Sequence, residues 1–117
     1  KELLSAVIQS IKEKRSELVP ENWQGEITEA NKIFVAGGCE QCNGIGYKGR
    51  EGVFEAIVMD DAVAAATITN PSEKEIKIAA KPQGILDMRQ DGILKVITGR
   101  TTLEELSRVV DLYEEII

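Results

Sequence analysis

Two cysteines, Cys39 and Cys42, are the residues of this sequence whose type and spacing most directly suggest chemistry. They stand three apart in Cys39-Glu40-Gln41-Cys42, with six glycines between Gly37 and Gly52 inclusive. Thiolates at that spacing can occupy two adjacent vertices of a zinc tetrahedron. Glycines beside them free backbone N–H groups to point at sulfur. A structural zinc site needs four ligands, and the chain has two cysteines and no histidine. Three readings of the pair stay open. It is half of a four-cysteine site whose partner pair lies outside the chain, a pair surviving in a metal-free knuckle, or a dithiol redox pair. A carboxylate such as Glu40 or Asp60 filling in for a thiolate is uncommon in structural sites. The redox reading expects a helix to start at the pair, and the glycines of 44–46 oppose that.

Composition narrows the chemistry further. Without histidine there is no Ser-His-Asp triad, no Cys-His nucleophile and no histidine-ligated metal from these residues. No GxxxxGK[ST] loop is present, and neither Lys77 nor Lys95 has a glycine cradle before it. The run from Gly44 to Gly52 superficially suggests a phosphate loop. The stronger reading is a connection that turns back from the knuckle, with Arg50 paired to an acid. Twenty acidic against 14 basic residues give a net charge of −6, which disfavours a nucleic-acid partner. No apolar run is long enough for a transmembrane helix, and no export signal is seen.

The elements that must position these residues are read from periodicity and punctuation. Leu3, Leu4, Val7, Ile8, Ile11 and Leu18 predict a helix over residues 2–18, ended by Pro20 and lacking a cap at its start. Residues 20–31 read as a polar loop anchored by Trp23. Short strands are expected at 32–36 and 53–59, flanking the knuckle. Helices follow at about 61–69, capped by Asp60 or Asp61, and at 73–81, with a Ser72/Glu75 capping box. A further helix spans 85–98, with Gly99 as its C′ residue, and a last one 102–116, opened by Thr101/Glu104. Leu103, Leu106, Val109, Val110, Tyr113 and Ile117 would line the buried face of the last helix. Within 88–95, the polar trio Arg89, Gln90 and Asp91 reads as a solvated helix face, or else as a contact to another domain. Gly92 in mid-helix marks close packing by a neighbour. The expected fold is α+β and mostly α: a small glycine-rich β knuckle followed by a bundle of short helices, divided at about residue 60. Paired acids such as Asp60-Asp61 and Glu104-Glu105 read as caps and exposed charge, not as an acid/base pair.

Two stretches in this order, GGCEQCNGIGYKGREGVFEAI at 37–57 and MRQDGILKVITGRTTLEELSRVV at 88–110, carry a resemblance. They resemble the C-terminal part of the motor ATPases of type II secretion and type IV pilus assembly, the GspE/PilB type. The resemblance covers about 32–110, and residues 1–31 match only in general character. It implies that residues 1–59 are most of a tetracysteine metal-binding subdomain and 60–117 a C-terminal helical subdomain. It places Cys39 and Cys42 as the second of two CxxC pairs, so the chain is expected to begin just after the first and to hold half a zinc site. The phosphate-binding loop, magnesium-binding acids and catalytic glutamate would all belong to a preceding ATPase core, so ATP and magnesium are cofactors of the parent and this chain is not itself an enzyme. Implied partners are that core, neighbouring subunits of a hexamer and an inner-membrane platform protein. The implied location is the cytoplasm, peripheral to the inner membrane. Outside the resemblance, a stand-alone zinc-knuckle adaptor and a CxxC thiol oxidoreductase remain as alternatives.

Overall fold

The computed structural model describes residues 2–25, 27–28, 31–42 and 44–112. Among them are five α-helices: α1 (Glu2–Arg15), α2 (Asp61–Thr69), α3 (Glu73–Ala80), α4 (Met88–Ile97) and α5 (Leu103–Ser107). Short 3-10 turns occupy Ser16–Leu18, Glu21–Trp23 and Lys81–Gln83.

The expected β knuckle is not formed: the described residues contain no strand. Along residues 53–58 partly covered and exposed positions alternate, as in an extended chain: Val53, Glu55 and Ile57 are partly covered, and Phe54, Ala56 and Val58 are exposed. A strand also needs a ladder, and here side chains take its place. Asp91 Oδ2 accepts from the Phe54 N–H at 2.9 Å. The Gln83 amide accepts from the Val58 N–H at 3.0 Å and donates to the Val58 carbonyl at 2.8 Å. Helix-borne polar groups therefore hold this segment where a neighbouring strand was anticipated. Residues 32–36 likewise have no ladder partner among the described residues.

The core brings α1 against α4. Val7, Ile8 and Ile11 of α1 pack with Ile93, Val96 and Ile97 of α4, and Leu106 of α5 and Leu112 close one side. Trp23 anchors its loop as expected, only 2% exposed and part of the same cluster. Helix α1 stops at Arg15 rather than 18, and Leu18 turns outward. Lys12, Lys14 and Arg15 in its last turn complement the negative end of the helix dipole.

Punctuation explains most of the helix limits. Of the two aspartates, Asp60 caps α2, accepting from Val63 N at 2.9 Å. Ser72 caps α3 through Glu75 N. Helix α4 starts three residues later than expected. Asp87 and Gln90 form a reciprocal capping box there, Asp87 accepting from Gln90 N and Gln90 from Asp87 N. Its C-terminus is a Schellman motif: Arg100 N donates to Lys95 O at 2.9 Å and Gly99 N to Val96 O at 3.2 Å, with Gly99 at φ 83°. Helix α5 is capped by Thr102 with Glu105 N, one residue beyond the expected Thr101/Glu104 pair. It ends in turns over 108–110, where the adjacent β-branched Val109 and Val110 are poor helix formers. Val109 is exposed instead of buried, and Tyr113 and Ile117 lie outside the described residues.

The polar trio of α4 is not a solvated face. Arg89 and Gln90 are both buried, and Arg89 Nη1 donates to Leu112 O at 2.9 Å. Gly92 does mark close packing: a Cβ there would lie 2.2 Å from Leu106 Cδ1.

Candidate functional site

Cys39 and Cys42 are brought together as their spacing predicts, with sulfurs 3.3 Å apart. The local chain is a tight turn. Gly44 N donates to Cys39 O at 2.9 Å and Ile45 N to Cys42 O at 3.3 Å. Gly44 and Gly46 take φ of 80° and 87°, which an L side chain rarely adopts. That backbone path turns two N–H groups toward one sulfur: Cys39 N at 3.3 Å and Gly46 N at 3.2 Å from Cys42 Sγ. Cys39 is exposed and Cys42 partly covered.

This environment sets the acidity of one thiol. The Cys39 side chain, then the backbone N–H of Cys39 and that of Gly46, lower Cys42 from the ordinary thiol value of 9.0 to about 7. Because the folded value is the lower one, the thiolate's contribution to stability is fully present above 9 and is lost as pH falls through 7. Alkylation by iodoacetamide should therefore show Cys42 reacting with a midpoint near pH 7. In Cys42→Ser the rise in stability between the two pH values should disappear. A midpoint near that of an unfolded peptide would show that the N–H groups do not act on the sulfur.

The donor set fits two vertices of a tetrahedral zinc site: two sulfurs side by side, one of them with backbone N–H groups as outer-shell donors. Among the described residues, no group of three or more His, Cys, Asp or Glu is placed to hold a metal. Neither Glu40 nor Asp60 completes such a cluster, and Asp60 is engaged by Val63 N and the Gln83 amide. Those two contacts, Val63 first, also hold the Asp60 carboxyl below the usual carboxylate range.

The loop after the knuckle differs from expectation in its ion pair. Arg100 Nη1 meets Glu51 at 2.8 Å, tying the loop to the end of α4, while Arg50 is exposed. Lys95 pairs with Asp91 at 2.8 Å, donates to Gly52 O and sits 5.0 Å from the centre of the Phe54 ring. One link was invisible to sequence reasoning. Tyr47 OH lies 2.8 Å from Thr102 Oγ1, the oxygen that caps α5. No local pattern signals a contact across 55 positions.

The two stretches that carry the resemblance thus meet in space. The chain matches the family described as type II/IV secretion system protein over residues 2–108, and it belongs to that family. Among its relatives are a type IV pilus assembly ATPase PilB of Thermus thermophilus, 41% identical over 81 residues, and a type II secretion system protein E of Aeromonas hydrophila, 39% identical over 84. The type IV pilus assembly ATPase TfpB of Acinetobacter baylyi is 34% identical over 102 residues. These matches cover 68%, 72% and 83% of this chain, but only 9%, 17% and 17% of the respective relatives. No solved structure matches. No described helix is long and apolar enough to cross a membrane.

Proposed function

We propose that this chain is a C-terminal structural and interaction region of a hexameric, cytoplasmic ATPase motor like those that power type IV pilus assembly or type II secretion. In this reading, residues 1–59 form the metal-holding part and 60–117 the helical part, joined through the α1–α4 core. Cys39 and Cys42 supply half of a four-cysteine zinc site that a CxxC pair outside these residues completes. ATP and magnesium bind to a core domain outside them, and this region performs no catalysis. Its partners are that core, neighbouring subunits and an inner-membrane platform protein.

The observation that carries the reading is the apolar surface beside the knuckle. Phe34 is 67% exposed, Val35 82% and Phe54 69%, and Val58 and Met59 are similarly open. Both phenylalanines of the chain face outward although an aliphatic core is available. Large apolar side chains left this open, in the segments on either side of the cysteine turn, are the surface this reading gives to a partner.

The test uses the intact ATPase that carries this region. Phe54→Ser with Val58→Ser should reduce hexamer formation and ATP turnover by about tenfold or more. In the isolated chain the same pair should change stability by no more than about 1 kcal/mol, the Lys95–Phe54 contact being the main loss. Normal assembly of the doubly substituted motor would remove the packing role. Separately, a chain extended to include an upstream CxxC should retain one zinc on gel filtration, whereas the 117-residue chain should not.

A further inference from the structure

The cysteine pair has a second chemistry available that does not depend on zinc. Cys39 and Cys42 are the chain's only cysteines, so only one intramolecular disulfide can form. Their sulfurs are 3.3 Å apart, and bonding requires about 2.05 Å, a closure of little more than 1 Å. Cys39 is exposed to a reagent, and the turn that would have to adjust contains Gly44, a glycine already at φ 80°.

The same turn is wired to the helical part. Cys42 Sγ accepts the Gly46 N–H. The next residue, Tyr47, holds Thr102 Oγ1, which in turn accepts from Glu105 N at the start of α5. Leu106, in that first turn, is the side chain packed on Gly92. A disulfide sulfur carries no charge and is a far weaker acceptor than a thiolate, so closing the bond weakens the first link of this series.

We propose that Cys39 and Cys42 are a site of reversible oxidation to an intramolecular disulfide, and that Gly46, Tyr47 and Thr102 transmit its closure to the N-terminus of α5. The oxidant class is a small-molecule disulfide such as oxidised glutathione. One cysteine thiolate attacks a sulfur of the reagent, whose S–S bond breaks and releases one small thiol. The second cysteine then displaces the other small thiol from the mixed disulfide. Two electrons pass from the protein pair to the reagent, and the two protons leave on the released thiols. Zinc on the same sulfurs would block this reaction, so the two fates exclude one another.

The experiment takes the 117-residue chain, reduced and treated with chelator, and exposes it to oxidised glutathione. Mass spectrometry should show loss of two hydrogens with Cys39 and Cys42 cross-linked, reversed by dithiothreitol. Amide exchange at Glu105 and Leu106 should be faster in the oxidised form by at least about threefold. In Tyr47→Phe that difference should vanish while the disulfide still forms. Stable mixed disulfides, or no reaction, would overturn the site. A disulfide with unchanged exchange at α5 would overturn the transmission. Failure of zinc retention in the extended chain would leave both expectations in place.

Discussion

Gln90→Leu is expected to lower the unfolding free energy by about 3 kcal/mol. Gln90 is fully buried, and its amide serves three partners on two helices. Oε1 accepts from Asp87 N at 3.0 Å and from Lys14 Nζ at 2.9 Å, and Nε2 donates to Ser10 Oγ at 2.9 Å. Leucine keeps the volume and removes every one of these bonds. Lys14 retains Ile85 O at 3.1 Å, and Ser10 still donates to Val7 O at 2.6 Å. Asp87 N is the group left without a partner, and half of the capping box goes with it. Each of the three lost bonds contributes about 1 kcal/mol, the unmet and partly buried Asp87 donor adds about 1 kcal/mol, and burial of the leucine gives part of this back. At roughly 4 °C per kcal/mol for a chain of this size, the thermal midpoint should fall by about 12 °C. Gln90→Glu keeps the acceptor for Asp87 and Lys14 and should lose less than half as much. Chemical denaturation of the three proteins checks the order. Equal midpoints for the wild type and the leucine variant would show that the amide does not join α1 to α4.

Gly92→Val should cost about 2 kcal/mol, for the opposite reason. Here the defect is an atom too many. A Cβ at Gly92 meets Leu106 Cδ1 at 2.2 Å, Cδ2 at 2.9 Å and Cγ at 3.1 Å. Leu106 is itself buried in the core, so its side chain cannot swing into solvent. Overpacking costs about 1–3 kcal/mol, and replacing a mid-helix glycine by valine returns only a few tenths. Alanine places the same Cβ against Leu106 but adds no branch and returns nearly 1 kcal/mol of helix propensity, so Gly92→Ala should cost about 1 kcal/mol. A double-mutant cycle isolates the contact. Leu106→Ala alone should cost about 2–5 kcal/mol, and in that background Gly92→Val should cost almost nothing. Strict additivity would place the strain of Gly92→Val elsewhere.

The parts of this molecule that are legible in its sequence are those that local rules control. The CxxC turn, the α1 face of Val7, Ile8 and Ile11, Trp23 as an anchor, the Asp60 and Ser72 caps and the C′ role of Gly99 are all set by neighbours a few positions away. The rest is illegible because a distant group changes the local balance. Residues 53–59 have the branched and aromatic composition of a strand, but whether a strand forms depends on what lies alongside, and Gln83 and Asp91 lie there. The α5 cap slipped by one residue to Thr102, the residue whose oxygen Tyr47 also engages. The polar trio of α4 looked solvated because pattern alone does not reveal that Lys14 and Ser10, more than 70 positions earlier, meet Gln90. The Asp87-x-x-Gln90 box was a legible signal that was missed: aspartate followed three residues later by glutamine is a helix start.

That capping box also orders events in time. Its two hydrogen bonds span three residues and can form as soon as α4 begins to wind, on the microsecond scale of helix nucleation. The contacts to Ser10 and Lys14 close loops of about 80 and 76 residues and must wait for chain collapse. The first step sets the Gln90 amide in the orientation the second step needs. Weakening Asp87 should therefore act mainly on the rate of folding, and weakening Ser10 or Lys14 mainly on the rate of unfolding. A residue that reads as a helix start is also the catch on which the first helix of the chain finally closes.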